Sequence, residues 1–219
     1  MAWHTPFDIS SVVGWMMTAG ARCRSVMGRQ VVEWRAASPG LFLREWLARP
    51  GTVGAVWPSS SGLARRMAAC VPRGGAGLVV ELGGGTGAVT AALQARGIAS
   101  QRLWVVERSP AFAHHLRRRF PTLNVVQGDA ARLAERLPRG ATVDVIVSSL
   151  PLLSLPAAEA DAIVAAWRRV LPPGGTLIQF SYALRDRAGV PFEGFVQQGS
   201  HLIWYNMPPA RVRVYVRGD

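Results

Sequence analysis

Lysine is missing from this 219-residue chain: all 25 of its basic side chains are arginine, against only 13 acidic residues, for a formal net charge of +12. Choosing arginine over lysine is the mark of a GC-rich genome. A shortage of acids is not, and a surplus of that size points to a polyanionic partner, either nucleic acid or an anionic membrane surface. Cysteine is scarce as well. Cys23 and Cys70 are too few and too isolated for a disulfide framework or a metal site, which favours a reducing compartment. His4, His114, His115 and His201 show no metal-ligand spacing, so no metal is expected. No apolar run reaches the ~18–20 residues that span a bilayer. The stretch Val12–Ala21 is ten residues long and meets Arg22. A secretory signal carries its charges ahead of such a run, whereas Arg22 and Arg24 follow it, and a cytoplasmic protein is expected. What the chain does have is 49% hydrophobic residues, enough for a sizeable core, and a length that suits one domain plus an appendage.

Residues 1–50 differ in character from residues 51–219. From Val13 onward Met16, Met17, Gly20, Cys23, Met27, Val31 and Trp34 recur at steps of three and four, the spacing of a helical face, while Arg22, Arg24, Arg29 and Arg35 lie mostly off it. Core packing can produce such a stripe. A flexible, Met-rich face flanked by Trp and Arg at a terminus equally suits a helix lying in a membrane interface. Residues 1–50 are therefore expected to be an amphipathic helical arm on an anionic membrane surface.

From residue 78 short β-rich runs alternate with helical stretches. Strands are expected at Leu78–Leu82, Arg102–Glu107, Leu123–Gln127, Val143–Ser149 and Gly175–Ser181. Helices are expected from the glycine turn through Gln94, over Ala111–Phe120, near Ala130–Leu137 and over Ala157–Val170. This alternation predicts a mostly parallel sheet covered by helices on both faces. Ser200–Asn206 and Arg211–Arg217 are joined by only Met207-Pro208-Pro209-Ala210, too short for a crossover, and can form only an antiparallel hairpin. The expected fold is a Rossmann-like α/β domain with a seven-stranded sheet ending in that hairpin.

In Val79-Val80-Glu81-Leu82-Gly83-Gly84-Gly85-Thr86-Gly87 a strand runs into a glycine turn that opens a helix, so that a ligand can approach bare backbone. Gly83-x-Gly85-x-x-Ala88 also satisfies the dinucleotide fingerprint. Glu81 argues against a pyrophosphate, which it would repel, and for the cationic methionine end of S-adenosylmethionine. Glu107 ends the second strand, 26 residues on, and can accept from ribose hydroxyls. Asp129 follows the third and is placed to accept from the adenine amino group. Three acids at successive strand ends lie where open α/β sheets bind ligands. The expected cofactor set is Glu81, Gly83, Gly85, Thr86, Gly87, Glu107, Arg108, Gly128, Asp129, Ala130, Ser149 and Leu150.

The loop after the fourth strand, Ser149-Leu150-Pro151-Leu152-Leu153, resembles the acceptor loop of amino-methyltransferases acting on bases, with Ser149 for the amide or acid and Leu152 for the stacking aromatic. Without that aromatic a base loses ~1–3 kcal/mol. An apolar lip welcomes an acyl chain instead. Phe42–Leu47, Val53-Gly54-Ala55-Val56-Trp57-Pro58-Ser59-Ser60, Ser149–Leu153 and Trp204–Ala210 together resemble the short soluble-type bacterial phospholipid N-methyltransferases over roughly residues 41–219. Trp57 departs from the small residue usual there. The resemblance implies methyl transfer from S-adenosylmethionine to the amine of phosphatidylethanolamine, towards phosphatidylcholine, by a peripheral protein at the inner face of the cytoplasmic membrane, with no nucleic-acid partner. The family is easily confused with rRNA adenine N6-methyltransferases, the alternative reading. A third reading is a methyltransferase-like domain that only binds membranes, against which the three acids argue. Tyr182 is the expected catalytic residue, and Trp57, Tyr182, Arg185 and His201 are expected around the lipid headgroup.

Overall fold

The structure, a computed structural model, describes residues 26–27, 30–31, 61–182, 192–204, 206 and 209–219. The chain divides into two units, Met1–Phe42 and Leu43–Asp219. In the first, β1 (Val26–Met27) and β2 (Gln30–Val31) pair antiparallel, Val26 opposite Val31. This corrects part of the helical reading, because Met27 and Val31 sit on strands. The β-branched Val26 and Val31 favour extended backbone. The rest of the expected arm, with Met16, Met17 and Trp34, lies outside the described residues.

The second unit begins, among the described residues, with α1 (Ser61–Ala69), a helix whose buried Leu63, Ala64, Met67 and Ala68 recur at three-and-four spacing. Then come β3 (Leu78–Leu82), α2 (Ala88–Ala95), β4 (Leu103–Glu107), α3 (Pro110–Arg119) and β5 (Asn124–Gln127). A 3₁₀ segment (Ala130–Arg136) leads to β6 (Val143–Ser148), a 3₁₀ turn (Leu152–Ser154), α4 (Ala157–Val170) and β7 (Thr176–Ser181). The hairpin β8 (Phe195–Ile203) and β9 (Ala210–Arg217) completes the order. Helix was expected near Ala130–Leu137. The structure instead bends the backbone at Arg132, and Asp129 caps the segment by accepting from the Ala131 N–H.

Seven strands form one sheet in the order β5-β4-β3-β6-β7-β9-β8. The first five are mutually parallel, and β9 enters antiparallel between β7 and β8. A bulge between Gln197 and Gly199 breaks the β8–β9 register. Residue alternation gives the sheet two buried faces. Val79, Val105, Val145, Val147 and Ile178 pack with Leu63, Met67, Leu93 and Leu116. On the other face Val80, Leu82, Val106, Ile146 and Leu177 pack with Leu133, Ile163 and Trp167. Chain order reverses between β3 and β6, so the crevice beyond their C-terminal ends is the expected ligand position.

Candidate cofactor and acceptor site

Glu81 is the next-to-last residue of β3, flanked in the sheet by Val105 and Val147, and it shares the face of Val79. It is fully buried. Both its carboxylate oxygens, and the buried hydroxyl of Thr90 on α2, lack a hydrogen-bond partner among the described residues. Burial pushes the Glu81 carboxyl up to about 7, the dipoles of the Thr90 side chain and backbone act against the rise, and the charge of Glu107 adds to it. A buried carboxylate without a partner is costly. It is also ready for a cation.

Between β3 and α2 the chain turns through Gly83, Gly85 and Gly87, all at positive φ. Gly85, at +51°, faces open space, whereas a Cβ on Gly87 would meet the Phe120 ring at 2.5 Å. Gly84 allows close packing of the loop, since a Cβ there would lie 2.5 Å from Val105. Glu107, at the end of β4, ties this loop to the next. Its Oε2 accepts from the Gly85 N–H at 3.0 Å and its Oε1 from the Ser109 N–H at 2.8 Å. Each oxygen keeps a lone pair for a further donor.

At the end of β6 the Ser149 N–H donates to the Leu82 carbonyl at 2.9 Å, while the Ser149 hydroxyl is buried without a partner among the described residues. Leu150 leans over the glycine loop, its Cδ2 3.0 Å from where a Gly83 Cβ would sit. Gln179 on β7 fixes this loop by donating to the Leu150 carbonyl at 2.8 Å. Tyr182 follows β7 directly and stacks edge-on against Phe180. Its phenol, hydrogen-bonded to the buried Asn206 side chain, is pushed up by burial. Because Ser181 pairs with Arg211 and Ile203 with Ala210, the β8–β9 connection lies at this same edge.

Residues 79–175 match the model of a methyltransferase domain family. The chain is 36% identical over 146 residues to an ornithine lipid N-methyltransferase of Singulisphaera acidiphila, covering 64% of this chain and 76% of that protein. This chain belongs to the lipid N-methyltransferases of the class I superfamily. Among solved structures, the N-methyltransferase NodS of Bradyrhizobium japonicum bound to S-adenosylhomocysteine aligns with a TM-score of 0.55 at 16% identity, over 73% of this chain and 86% of that one. TrmN of Thermus thermophilus aligns at 0.59 and 20% identity, over 74% of this chain, which spans about half (51%) of that structure. These two likenesses concern the fold. The cofactor of the methyltransferase is S-adenosylmethionine, and the site fits it: an unpartnered buried carboxylate suits a cation, and a bare Gly85 leaves the loop open to a nucleoside.

The methyltransferase brings most of the expected cofactor residues to one sheet edge. Glu81, Gly83, Gly85, Thr86, Gly87 and Glu107 surround the first loop, and Ser149 and Leu150 wall it from β6. Gly128 donates its N–H to the Glu107 carbonyl at 3.0 Å, beside Asp129 and the buried Ala130. Arg108 points elsewhere, exposed and paired with Glu159 of α4 at 2.8 Å. His201 lies on the outermost strand, four strands from β3, about 19 Å away at ordinary strand spacing. Trp57 and Arg185 lie outside the described residues. Four contributors escaped the sequence reading: Thr90, Gln179, Asn206 and Arg119, whose guanidinium donates to the Thr86 carbonyl. A polar residue on the apolar face Val89–Leu93 was the available signal for Thr90. Arg119 gave none.

Proposed function

We propose that this protein methylates the amine of phosphatidylethanolamine and its partly methylated products, towards phosphatidylcholine, at the inner face of the cytoplasmic membrane. The observation that carries the reading is kinship with an ornithine lipid N-methyltransferase. An acceptor loop of Leu150, Leu152 and Leu153, with no aromatic for a base to stack on, supports it. S-adenosylmethionine supplies an electrophilic sulfonium methyl. Glu81 holds the cationic end of that molecule, Glu107 its ribose, Asp129 its adenine, and Leu150 excludes water from the transfer line. The amine attacks as a free base, because an ammonium has no lone pair. Tyr182, kept neutral by burial, accepts a hydrogen bond from the amine and orients it. The ammonium gives up its proton to the lipid phosphate or to water before the attack, and the methylated ammonium that results loses another in the same way before the next transfer. Arg185 is assigned to the phosphate, whereas His201, on the outermost strand, stands too far from β3 to join it.

A second reading follows from the relative itself. Ornithine lipid offers an amine on a lipid without a phosphate. Labelled cofactor incubated separately with vesicles of phosphatidylethanolamine, vesicles of ornithine lipid, and rRNA decides among the acceptors. Label in phosphatidylethanolamine is expected. Label in rRNA alone would overturn the lipid reading. Arg185→Ala is expected to impair phosphatidylethanolamine turnover by roughly tenfold, about 1.4 kcal/mol, without changing cofactor affinity. Equal loss of both would remove Arg185 from the headgroup site.

A further inference from the structure

Large apolar side chains are rarely left on a surface in a cluster without a use. Among the described residues three stand out as exposed: Leu153 at 59%, Val196 at 57% and Trp204 at 67%. Their places in the sheet divide them. Val196 pairs with Val216, at the end of the sheet remote from the glycine loop. Leu153 sits in the turn that follows Ser149, and Trp204 immediately follows Ile203, whose partner Ala210 marks the site edge. Two of the three therefore flank the acceptor side, one from the β6 loop and one from the hairpin. Tyr182 and Asn206 lie at the same edge.

An exposed arginine stands at this edge. The guanidinium of Arg119 reaches the glycine loop from an exposed side chain, whereas the exposed Arg108 is paired with Glu159. Of the acids facing the crevice, Glu81 and Glu107 are buried and Asp129 is partly buried. Exposed arginine at the same sheet end as exposed Trp and Leu, in a chain of net charge +12, matches the layering of a lipid monolayer, with phosphates outermost and acyl chains beneath. We infer that Leu153 and Trp204 insert into an anionic lipid surface and seat the mouth of the acceptor site directly on the bilayer. This rests on the lipid reading of the function. It is independent of the N-terminal arm, since both anchors belong to the sheet edge itself.

Such a seat explains why the acceptor need not leave the membrane. The amine rises a short distance into the crevice while the acyl chains stay in the monolayer between the two anchors.

Tryptophan emission in vesicles containing anionic lipid with brominated acyl chains tests the seat, comparing full-length wild type with Trp204→Phe. Bromine quenches only indoles that reach the acyl region. A quenched component lost in Trp204→Phe is expected, and identical quenching in both proteins would overturn the inference. In parallel, Trp204→Ala is expected to methylate vesicle-borne aminolipid about tenfold more slowly, the scale of one large apolar side chain. Its cofactor affinity and its turnover of a dispersed short-chain aminolipid should remain those of wild type, and Val196→Ala should match wild type throughout. Equal loss on vesicles and dispersed lipid would place Trp204 in the acceptor pocket and refute the seat. If wild type methylates no aminolipid, the functional reading fails, and the quenching comparison still decides whether Trp204 enters a bilayer.

Discussion

Glu81 makes the cofactor-free protein pay for its own function. In the unfolded chain this carboxyl ionises near its ordinary 4.5, and in the fold near about 7. Below both values the two states are equally protonated and Glu81 costs nothing. As pH rises from 4.5 to 7 the unfolded state loses the proton first, so stability falls, and above 7 the full penalty of roughly 3 kcal/mol is present. Glu81→Gln is therefore expected to raise the melting temperature of the cofactor-free protein at pH 8 by a few degrees, with the gain disappearing near pH 4. The same substitution should abolish measurable S-adenosylmethionine binding by calorimetry. A gain independent of pH would show that the buried charge is not its source. Glu107→Ala tests the neighbouring carboxylate, which holds the Gly85 and Ser109 N–H groups. Charge-assisted hydrogen bonds contribute about 1.5–3 kcal/mol, so a loss of tenfold or more in cofactor affinity is expected on titration, and unchanged affinity would remove Glu107 from the site.

At the scale of elements, Gly84 shows how a loop can be fixed by what stands behind it. Its backbone angle is ordinary, yet a Cβ would lie 2.5 Å from Val105 and 2.9 Å from Leu116. Gly84→Ala should destabilise the fold by about 1–3 kcal/mol, as overpacking does, and urea unfolding would measure it; a neutral result would mean that α3 yields freely. The parallel strands and the Ala157–Val170 helix were legible because their apolar runs are bounded by glycine, proline and acidic strand ends. Glu81 and Glu107 were legible for the same reason: a carboxylate at the end of an apolar strand stands out. The bend at Arg132 was not, since Ala130–Leu137 carries helical apolar spacing with no glycine or proline to interrupt it. Nor was the Tyr182–Asn206 pair, whose members come together only once β9 enters beside β7. The hairpin itself was read, but β8 begins at Phe195 rather than Ser200. Gln197, Gln198 and Gly199 hid that start, being polar or small where a buried strand would be apolar.

For the whole molecule, the +12 charge and the arm make one further expectation. Removing residues 1–36 should weaken flotation with anionic vesicles and leave cofactor binding nearly unchanged, because the cofactor residues begin at Glu81. Salt should weaken the full-length protein's binding through screening over ~8–10 Å, with an apolar remainder that resists salt. Equal flotation of both proteins would show that the arm is not an anchor. The two ends of the sheet carry a different consequence. Strand edges with open N–H and C=O groups invite other chains to pair with them, the first step of aggregation. Here β5 closes one side with only four residues, Asn124–Gln127. On the other side β8 is nine residues long, and among the described elements it pairs only with β9. The bulge between Gln197 and Gly199 interrupts that long margin and bends it away from the flat form that another strand could extend. A long margin interrupted in this way is expected to resist edge-to-edge pairing of neighbouring copies at high local concentration.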